Sequence, residues 1–272
     1  MLHHETRVGR RVGNTVASAS RSTTWQLVDE LPLTFDAHHP QGMARVDGTW
    51  WISTVDKVER CGLVFGVDRC GDLVERIPVG DDHHYHPGGM DFDGRAFWIP
   101  CAEYIPDSSA TIVRFEPGGR PEPVFSVDDH VGAIARCGPD GDLVGWSWGS
   151  RRFYRWSIDG RLLSARVNPG CFVDHQDCQW LDSGHLLCGG VAEVTLAGGP
   201  GWLGGIGLLD ADGLVMEREV PFPVFMAGSG RVATHNPLWS EIVEDQLIVH
   251  LLPDDGYGLI LSYATPLVVG SD

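Results

Sequence analysis

Short apolar runs separated by polar turns follow one another along almost the whole chain, with no run at helical spacing among them. A unit begins with an apolar run, turns at Asp-Gly or a similar pair, and continues into a second run such as "TWWIST" (49–54). A further pair of runs follows, again divided by a Gly- or Asp-containing turn, as in "GLVFGVDRCGDLVERIPV" (62–79). The first turns of the successive units are Asp47-Gly48, Asp93-Gly94, Asp140-Gly141, Ser183-Gly184 and Glu244-Asp245. Because such turns join antiparallel strands, each unit is predicted to contain four β-strands.

The unit recurs about every 45 residues, and a histidine marks the start of each copy. "HHPQGMARVDGTWWIST" (38–54) is matched by "HYHPGGMDFDGRAFWIP" (84–100), and three fainter copies follow. The five anchor histidines are His39, His86, His130, His175 and His235. Tandem four-stranded units of this length are typical of the blades of a β-propeller.

The pattern predicts an all-β fold, a five-bladed β-propeller whose ring is closed by an N-terminal strand. Three strands follow the last anchor, and a spare strand, "TWQLVDELPL" (24–33), precedes the first. Pairing this strand with the last blade would close the ring and leave no open edge. The interval before the last anchor is longer because of an insertion at Leu196–Gly205. We therefore expect a flexible tail at residues 1–23 and one propeller domain at residues 24–272.

Composition narrows the classes of partner. The chain has 20 basic and 37 acidic residues, a net charge of −17, which disfavours nucleic acid and anionic membranes as partners. Its seven cysteines are odd in number and include no Cys-x-x-Cys pair, which favours reduced thiols over disulfides or a thiolate zinc site. The first residues are polar and no apolar run is long enough to span a membrane, so we predict a cytoplasmic protein. The expected partner is a small-molecule substrate. The sequence does not specify an oligomeric state.

The repeat places the anchor histidines around one axis. In a propeller the first strand of each blade lines the central channel, so the five anchors are expected near one mouth of it. The second strand returns to the same mouth, where its end carries Asp56, Glu103 and Glu193. Imidazole is a common ligand of transition metals, and a carboxylate behind it often fixes its tautomer. We therefore predict that three or more anchors bind a divalent transition metal: iron, copper, zinc or nickel. The alternative is that each histidine hydrogen-bonds a neighbouring blade and stabilises the ring.

Other side chains near this mouth are candidates for chemistry or substrate binding. Asp129, Glu103 and Glu193 are predicted to move protons as catalytic groups. Five residues are predicted to bind substrate: Tyr85, Tyr104, Trp148, Arg151 and Trp239. Each has a structural alternative, namely turn formation for an aspartate, packing between blades for an aromatic ring, and local charge balance for the arginine.

Three motifs resemble an uncharacterised family of bacterial and fungal propeller-like proteins: "HPGGMDFDG" (86–94), "DHQDC" (174–178) and "HNPLW" (235–239). This resemblance implies a propeller and supplies no reaction. The expected site is also similar in its logic to that of carotenoid-cleaving oxygenases, which hold iron on the axis with four histidines and supporting glutamates. Streptogramin B lyase, a propeller that uses histidine and a divalent metal for elimination, is a second parallel. Because this chain departs from both in length or motifs, no substrate carries over.

These considerations predict a metal-dependent enzyme for a small organic molecule, of lyase, cyclase or oxygenase type. Two alternatives stay open. A metal-free, glycosidase-like hydrolase would use axial carboxylates chosen from Asp36, Asp82, Asp129 and Asp174. A lectin-like binding propeller would carry near-identical pockets in all five blades, but the blades diverge after their anchors.

Overall fold

The computed structural model describes residues 2–138, 141–170, 172–224 and 230–268, without the side chains of residues 2–7 and 196. Asp140, one of the predicted turn residues, and Cys171 lie outside these ranges. The helix α1 (Leu2–Ser18) and the strand β1 (Gln26–Pro32) precede the first blade.

The remaining strands follow blade by blade. Blade one contains β2 (His39–Val46), β3 (Thr49–Asp56), β4 (Cys61–Val67) and β5 (Leu73–Val79). Blade two contains β6 (His86–Pro87), β7 (Asp91–Phe92), β8 (Phe97–Ala102), β9 (Ala110–Phe115) and β10 (Glu122–Val127). Blade three contains β11 (Val131–Arg136), β12 (Leu143–Ser147), β13 (Arg152–Trp156) and β14 (Leu162–Val167). Blade four contains β15 (Asp174–Leu181), β16 (His185–Leu196), β17 (Gly199–Asp210) and β18 (Val215–Pro221). Blade five contains β19 (Leu238–Val243), β20 (Gln246–Leu251) and β21 (Leu259–Pro266).

Five small antiparallel sheets form the ring, which confirms the predicted five-bladed propeller. The predicted closure is also confirmed, because β1 pairs antiparallel with β21 as the outer strand of blade five. In the first hairpin, Asp47 and Gly48 both have positive φ, 50° and 83°, as a two-residue turn of type I′ requires. The inner strand of blade two is divided into β6 and β7 at Gly88 and Gly89. A Cβ atom on Gly88 would collide with the backbone oxygen of Gly132 in blade three, so this approach requires glycine.

The hydrophobic core is distributed between the blades. Five apolar clusters lie in the described residues, one at each junction of neighbouring sheets. At the junction of blades one and two, for example, Trp51 packs against Phe97 with ring centroids 5.1 Å apart. The outermost strand β14 is exposed at every position, whereas all five residues of β12 are buried. The outer strand is therefore the solvent-exposed edge of this blade.

The sequence predicts a flexible tail at residues 1–23, whereas in the structure Leu2–Ser18 form the helix α1. Val12 and Val16, spaced four residues apart on one face, are buried in the apolar cluster between blades four and five. Thr15 on the same face accepts a hydrogen bond from the backbone N–H of Val268. This short apolar stripe is masked in the sequence by polar neighbours. In the part of the chain that the structure describes, no helix combines the length and the apolarity that crossing a membrane requires.

Candidate functional site

The five anchor histidines line one cavity of about 210 Å³ at the mouth of the axis. Ten further residues complete its lining: Gln41, Tyr104, Gly132, Trp148, Gly149, Asp174, Gln176, Val191, Trp202 and Asn236. His38, His83 and His84, which flank two of the anchors in sequence, are not among the lining residues. The structure thus brings the anchors together in the register that the repeat predicts.

Bulges in the inner strands shape this cavity. The pairing register shifts between Pro40 and Gly42 in β2, at Gly132 in β11, and between His175 and Asp177 in β15. The residues within these three shifts are Gln41, Gly132 and Gln176, and all three line the cavity. Because a bulge redirects the side chains next to it, the shared irregularity gives each blade its particular contribution to the wall.

A buried carboxylate joins the anchor-bearing strands beneath the cavity. Asp177 has no exposed surface, and it accepts backbone N–H bonds from Met43 (3.0 Å), Met90 (3.0 Å) and Leu238 (3.1 Å). These three donors belong to blades one, two and five, whereas Asp177 belongs to blade four. Burial raises the pKa of Asp177 well above its usual value, even though N–H bonds from Met43 and Leu238 oppose this effect. One side chain therefore connects four of the five inner strands.

His39 is oriented by a carboxylate and an arginine that the sequence does not suggest. Its Nδ1 lies 2.8 Å from Asp255 Oδ1, so the ring donates Nδ1–H to the carboxylate and keeps the lone pair on Nε2. Arg231 donates to both oxygens of Asp255, at 2.8 and 3.1 Å. Burial raises the pKa of Asp255, but the hydrogen bonds from His39 and Arg231 outweigh it and hold the pKa well below its usual value. The carboxylate therefore stays ionised behind the ring.

The rings of the anchors His86 and His130 lie next to each other, with centroids 5.4 Å apart. His130 Nδ1 lies 3.0 Å from the carbonyl oxygen of Ile105, which fixes its proton on Nδ1 and leaves Nε2 as an acceptor. Burial lowers the pKa of His130 to about 4. Burial, followed by the neighbouring His130, also lowers the pKa of His86 well below its usual value. Both nitrogens of His86 are buried, and neither forms a hydrogen bond with the described residues.

The lining also contains the other two anchors, His175 and His235, and the carboxyl group of Asp174. His175 Nε2 lies 3.3 Å from Glu219 Oε1, a close approach that falls outside hydrogen-bond geometry. Burial lowers the pKa of His235 to about 4. Burial raises the pKa of Asp174, despite the nearby His175 and a hydrogen bond from Ser150, and therefore favours its protonated form.

Aromatic rings form part of the wall on two sides. Tyr104 and Trp148, both predicted to bind substrate, line the cavity, and Tyr104 packs on His86 with centroids 4.1 Å apart. Trp202 lies 5.9 Å from His235, measured between ring centroids. The sequence suggested only an insertion here. It extends β16 and β17 into 12-residue strands, the longest described in the structure, and Val191 and Trp202 on this hairpin reach the cavity.

The predicted proton-transfer residues do not line the cavity. Glu103 accepts hydrogen bonds from the backbone and hydroxyl of Ser109 and lies beside a separate surface depression. Glu193 is exposed on the long hairpin, paired across it with Trp202. Asp129 accepts hydrogen bonds from Tyr154 (2.6 Å) and Arg151 (3.3 Å). The reason is that a strand end at the correct mouth does not fix the direction in which its side chain points.

Three predicted substrate-binding residues support the wall from behind or lie elsewhere. Arg151 donates to the carbonyl of Trp148 at 2.7 Å and so stabilises the turn that presents this ring. Tyr85 lies between Arg60 and Tyr104. Trp239 packs against Trp50 at the junction of blades five and one, which is the structural alternative foreseen for such rings.

The arrangement of the histidines bears on the metal hypothesis. Among the described residues, no three His, Cys, Asp or Glu side chains are grouped closely enough to hold one ion. The anchors surround a volume instead of converging on a point. A transition metal at this site stays a prediction, and His86 with His130 is the pair from which it would start.

The fold and the cavity define a five-bladed propeller with a histidine-lined axial site. Within that class, the chain belongs to a family of unknown function, DUF6454, whose model matches residues 11–266. No curated protein matches the sequence.

Solved structures support the fold alone. A hypothetical protein from Leishmania major is 12% identical, with a TM-score of 0.56 over 87% of this chain and 90% of that one. The native arabinanase Arb43A of Bacillus subtilis is 11% identical, with a TM-score of 0.53 over 86% and 95%. A structure of streptogramin B lyase has a TM-score of 0.49 at 10% identity, over 90% and 88% of the two chains. One structure of similar shape, the arabinanase, is thus that of an enzyme.

Proposed function

We propose that this protein is an enzyme that transforms a small organic molecule in the axial cavity by proton transfer, as a lyase- or cyclase-type catalyst. The observation that carries the proposal is the hydrogen bond between His39 Nδ1 and Asp255, with the carboxylate itself held by Arg231. A histidine oriented in this way presents a basic Nε2 to the cavity and is stabilised when it takes up a proton.

The cavity also contains a group suited to returning the proton. Asp174 is a buried carboxyl whose pKa burial raises, so it is a better proton donor near neutral pH than an ordinary aspartate. In an elimination, His39 would take a proton from carbon while the C–X bond breaks, and Asp174 would protonate the departing group. A proton acceptor and a proton donor that share one cavity are typical of acid–base catalysis.

The test compares wild-type protein with His39→Ala in a protein-free metabolite extract followed by mass spectrometry. We expect at least one small molecule to be consumed by wild type and by His185→Ala, and to persist with His39→Ala. His185 is a matched control because it lies in a surface hairpin, 3.0 Å from Glu217 and outside the cavity lining. Consumption that is indifferent to His39, or no consumption by wild type, would contradict the proposal.

A metal-dependent variant of this function, of lyase or oxygenase type, is a second candidate, favoured by His86. This histidine is buried and neutral, and both of its nitrogens are without hydrogen bonds among the described residues. A neutral imidazole is the form that binds iron, copper, zinc or nickel. Together with Nε2 of His130 it would supply two ligands, and substrate or a reoriented anchor would supply the third. The metal would then act as a Lewis acid or bind oxygen.

Metal analysis of protein purified without a polyhistidine tag tests this candidate. We expect close to one equivalent in wild type and its loss in His86→Ala, with the fold checked by circular dichroism. A content below about 0.2 equivalents that added metal does not raise would contradict metal dependence. Such a result leaves the proton-transfer proposal standing, because that mechanism needs only His39 and Asp174.

The two metal-free alternatives have less support. Of the four aspartates considered for a hydrolase, only Asp174 is among the described lining residues, whereas the glycosidase mechanism needs a pair of carboxylates. A lectin-like propeller would repeat one pocket in every blade. The five histidines instead share a single cavity with a different neighbour in each blade.

A further inference from the structure

We infer that the axial cavity recognises an uncharged, polyhydroxylated ring about the size of a monosaccharide. The inference rests on the proposed function only in taking this cavity as the substrate site. It follows from the charge, the hydrogen-bonding polarity, the aromatic wall and the size of the cavity, each of which restricts the ligand separately.

The charged groups of the cavity wall disfavour a charged ligand. No lysine or arginine is among the described lining residues. The nearest arginines are already engaged, Arg231 with Asp255 and Arg151 with Asp129. Lys57 lies over Tyr104, 5.7 Å from its ring centre, and is not part of the lining. An anion would therefore find no positively charged partner in the described lining itself. A cation would find a single lining carboxylate, Asp174, which already accepts a hydrogen bond from Ser150 at 3.2 Å.

Several polar groups of the wall offer acceptors to a ligand. The side-chain nitrogens of Gln41, Gln176 and Asn236 donate to backbone carbonyls at 2.9, 3.3 and 3.2 Å. These bonds orient each amide and leave its oxygen for a ligand. His39 and His130 each use Nδ1–H on a protein oxygen and present Nε2 as a further acceptor. A ligand that fills the cavity must therefore carry several O–H or N–H donors.

His86 distinguishes hydroxyl groups from ammonium groups. A neutral imidazole has one N–H donor and one acceptor nitrogen, and both ring nitrogens of His86 are buried without a hydrogen bond among the described residues. An ammonium only donates, so it would leave the N–H of His86 unsatisfied. A hydroxyl both donates and accepts, and two neighbouring hydroxyls satisfy both nitrogens. This requirement favours a polyol over an amine.

The size and the aromatic wall favour a ring. A cavity of about 210 Å³ holds roughly seven waters at liquid density, which is less than the pockets of drug-sized ligands. Tyr104 and Trp148 lie on the side of His86 and His130, and Trp202 lies beside His235. Flat aromatic surfaces pack against the C–H faces of a saturated ring, while its hydroxyls reach the acceptors. A monosaccharide or a cyclitol meets all four restrictions.

Isothermal titration calorimetry with a defined panel tests the inference. The panel contains uncharged monosaccharides and cyclitols, their O-methyl ethers, the corresponding uronic acids and the corresponding amino sugars. We expect at least one uncharged member to bind, and its methyl ether, acid and amine to bind about tenfold more weakly or worse, since each loses or mismatches a hydrogen bond. Tightest binding by an acid or an amine, or no binding by any uncharged member, would overturn the inference.

Matched variants assign the binding to the cavity. His86→Ala is expected to weaken binding of the uncharged ligand about tenfold, while His185→Ala leaves it unchanged. An unchanged affinity in a folded His86→Ala protein would also overturn the inference. The outcomes separate it from the proposed function. Binding of a polyol without turnover would contradict the proposed enzymatic function but agree with the inferred ligand class. Consumption of an anion that depends on His39 would agree with the enzymatic function but contradict the ligand class.

Discussion

At the scale of single residues, the buried imidazole of His130 couples the cavity to pH. Only 2% of this residue is exposed, and burial lowers its pKa to about 4, against 6.5 for a free histidine. Between these values the unfolded chain binds a proton that the folded chain does not. Stability is therefore lost as pH falls from 6.5 towards 4 and regained as pH rises. The folded protein keeps a neutral ring, the form needed for a base, a metal ligand or a hydroxyl acceptor.

We predict that His130 contributes about 2 kcal/mol to the loss of unfolding free energy between pH 7 and pH 5. His130→Asn, which cannot titrate in this range, should reduce the pH-dependent loss by that amount. Urea denaturation of both proteins at the two pH values measures it. His185→Asn serves as the control, since His185 lies in a surface hairpin. Identical pH dependence in wild type and His130→Asn would contradict the assigned burial.

At the scale of elements, the helix α1 completes the core between blades four and five. Val16 is fully buried, whereas Val8 on the same helix is 37% exposed. We predict that Val16→Ala lowers the free energy of unfolding by about 2 kcal/mol, since it leaves a cavity in a packed cluster. Val8→Ala should change it by much less. Thermal unfolding of both variants checks this, and equal melting temperatures would show that the helix does not contribute to the core.

The strands and their order were predictable because a repeated sequence pattern shows where each blade begins. The spacing of His39 and His86 identified the blades, and the spare strand at residues 24–33 identified the closure. The helix was missed because its stripe of Val12 and Val16 is short and lies between polar residues. The long hairpin of blade four was recognised only as an insertion, since its length gives no indication that Trp202 returns to the axis.

The site was predictable only in part, because the repeat identifies the blades but not the contacts between distant segments. A repeat shows which residues occupy equivalent positions in the blades, and it therefore predicted that the five anchors lie together. It does not show which loop residue reaches them, and Asp255, which orients His39, lies more than two hundred residues away in sequence. The bulge at Gln41 and the turn that presents Trp148 likewise depend on tertiary packing. Glu103 and Glu193 were misplaced because their strands end at the mouth with these side chains turned away from the cavity.

At the scale of the whole molecule, Asp177 connects the ring through its centre. Its carboxylate accepts one backbone N–H from each of blades one, two and five. We predict that Asp177→Asn destabilises the protein by about 3 kcal/mol or more, because an amide has one acceptor oxygen and directs its own N–H groups at backbone donors. Asp212→Asn is the control: Asp212 pairs with Arg155 on the surface, and its loss should cost less than about 1 kcal/mol. Chemical denaturation that gives equal stability for the two variants would contradict the role of Asp177.

Two adjacent aspartates test most directly whether the axial cavity is a site of proton transfer. Asp255 orients His39, whereas Asp254, one residue earlier, makes no hydrogen bond to that ring. The measurement is the rate at which each variant consumes the molecule identified with wild-type protein. We predict that Asp255→Asn slows consumption by about 100-fold or more, as loss of an oriented general base does, and that Asp254→Asn stays close to wild type. Equal rates for the two variants would contradict it.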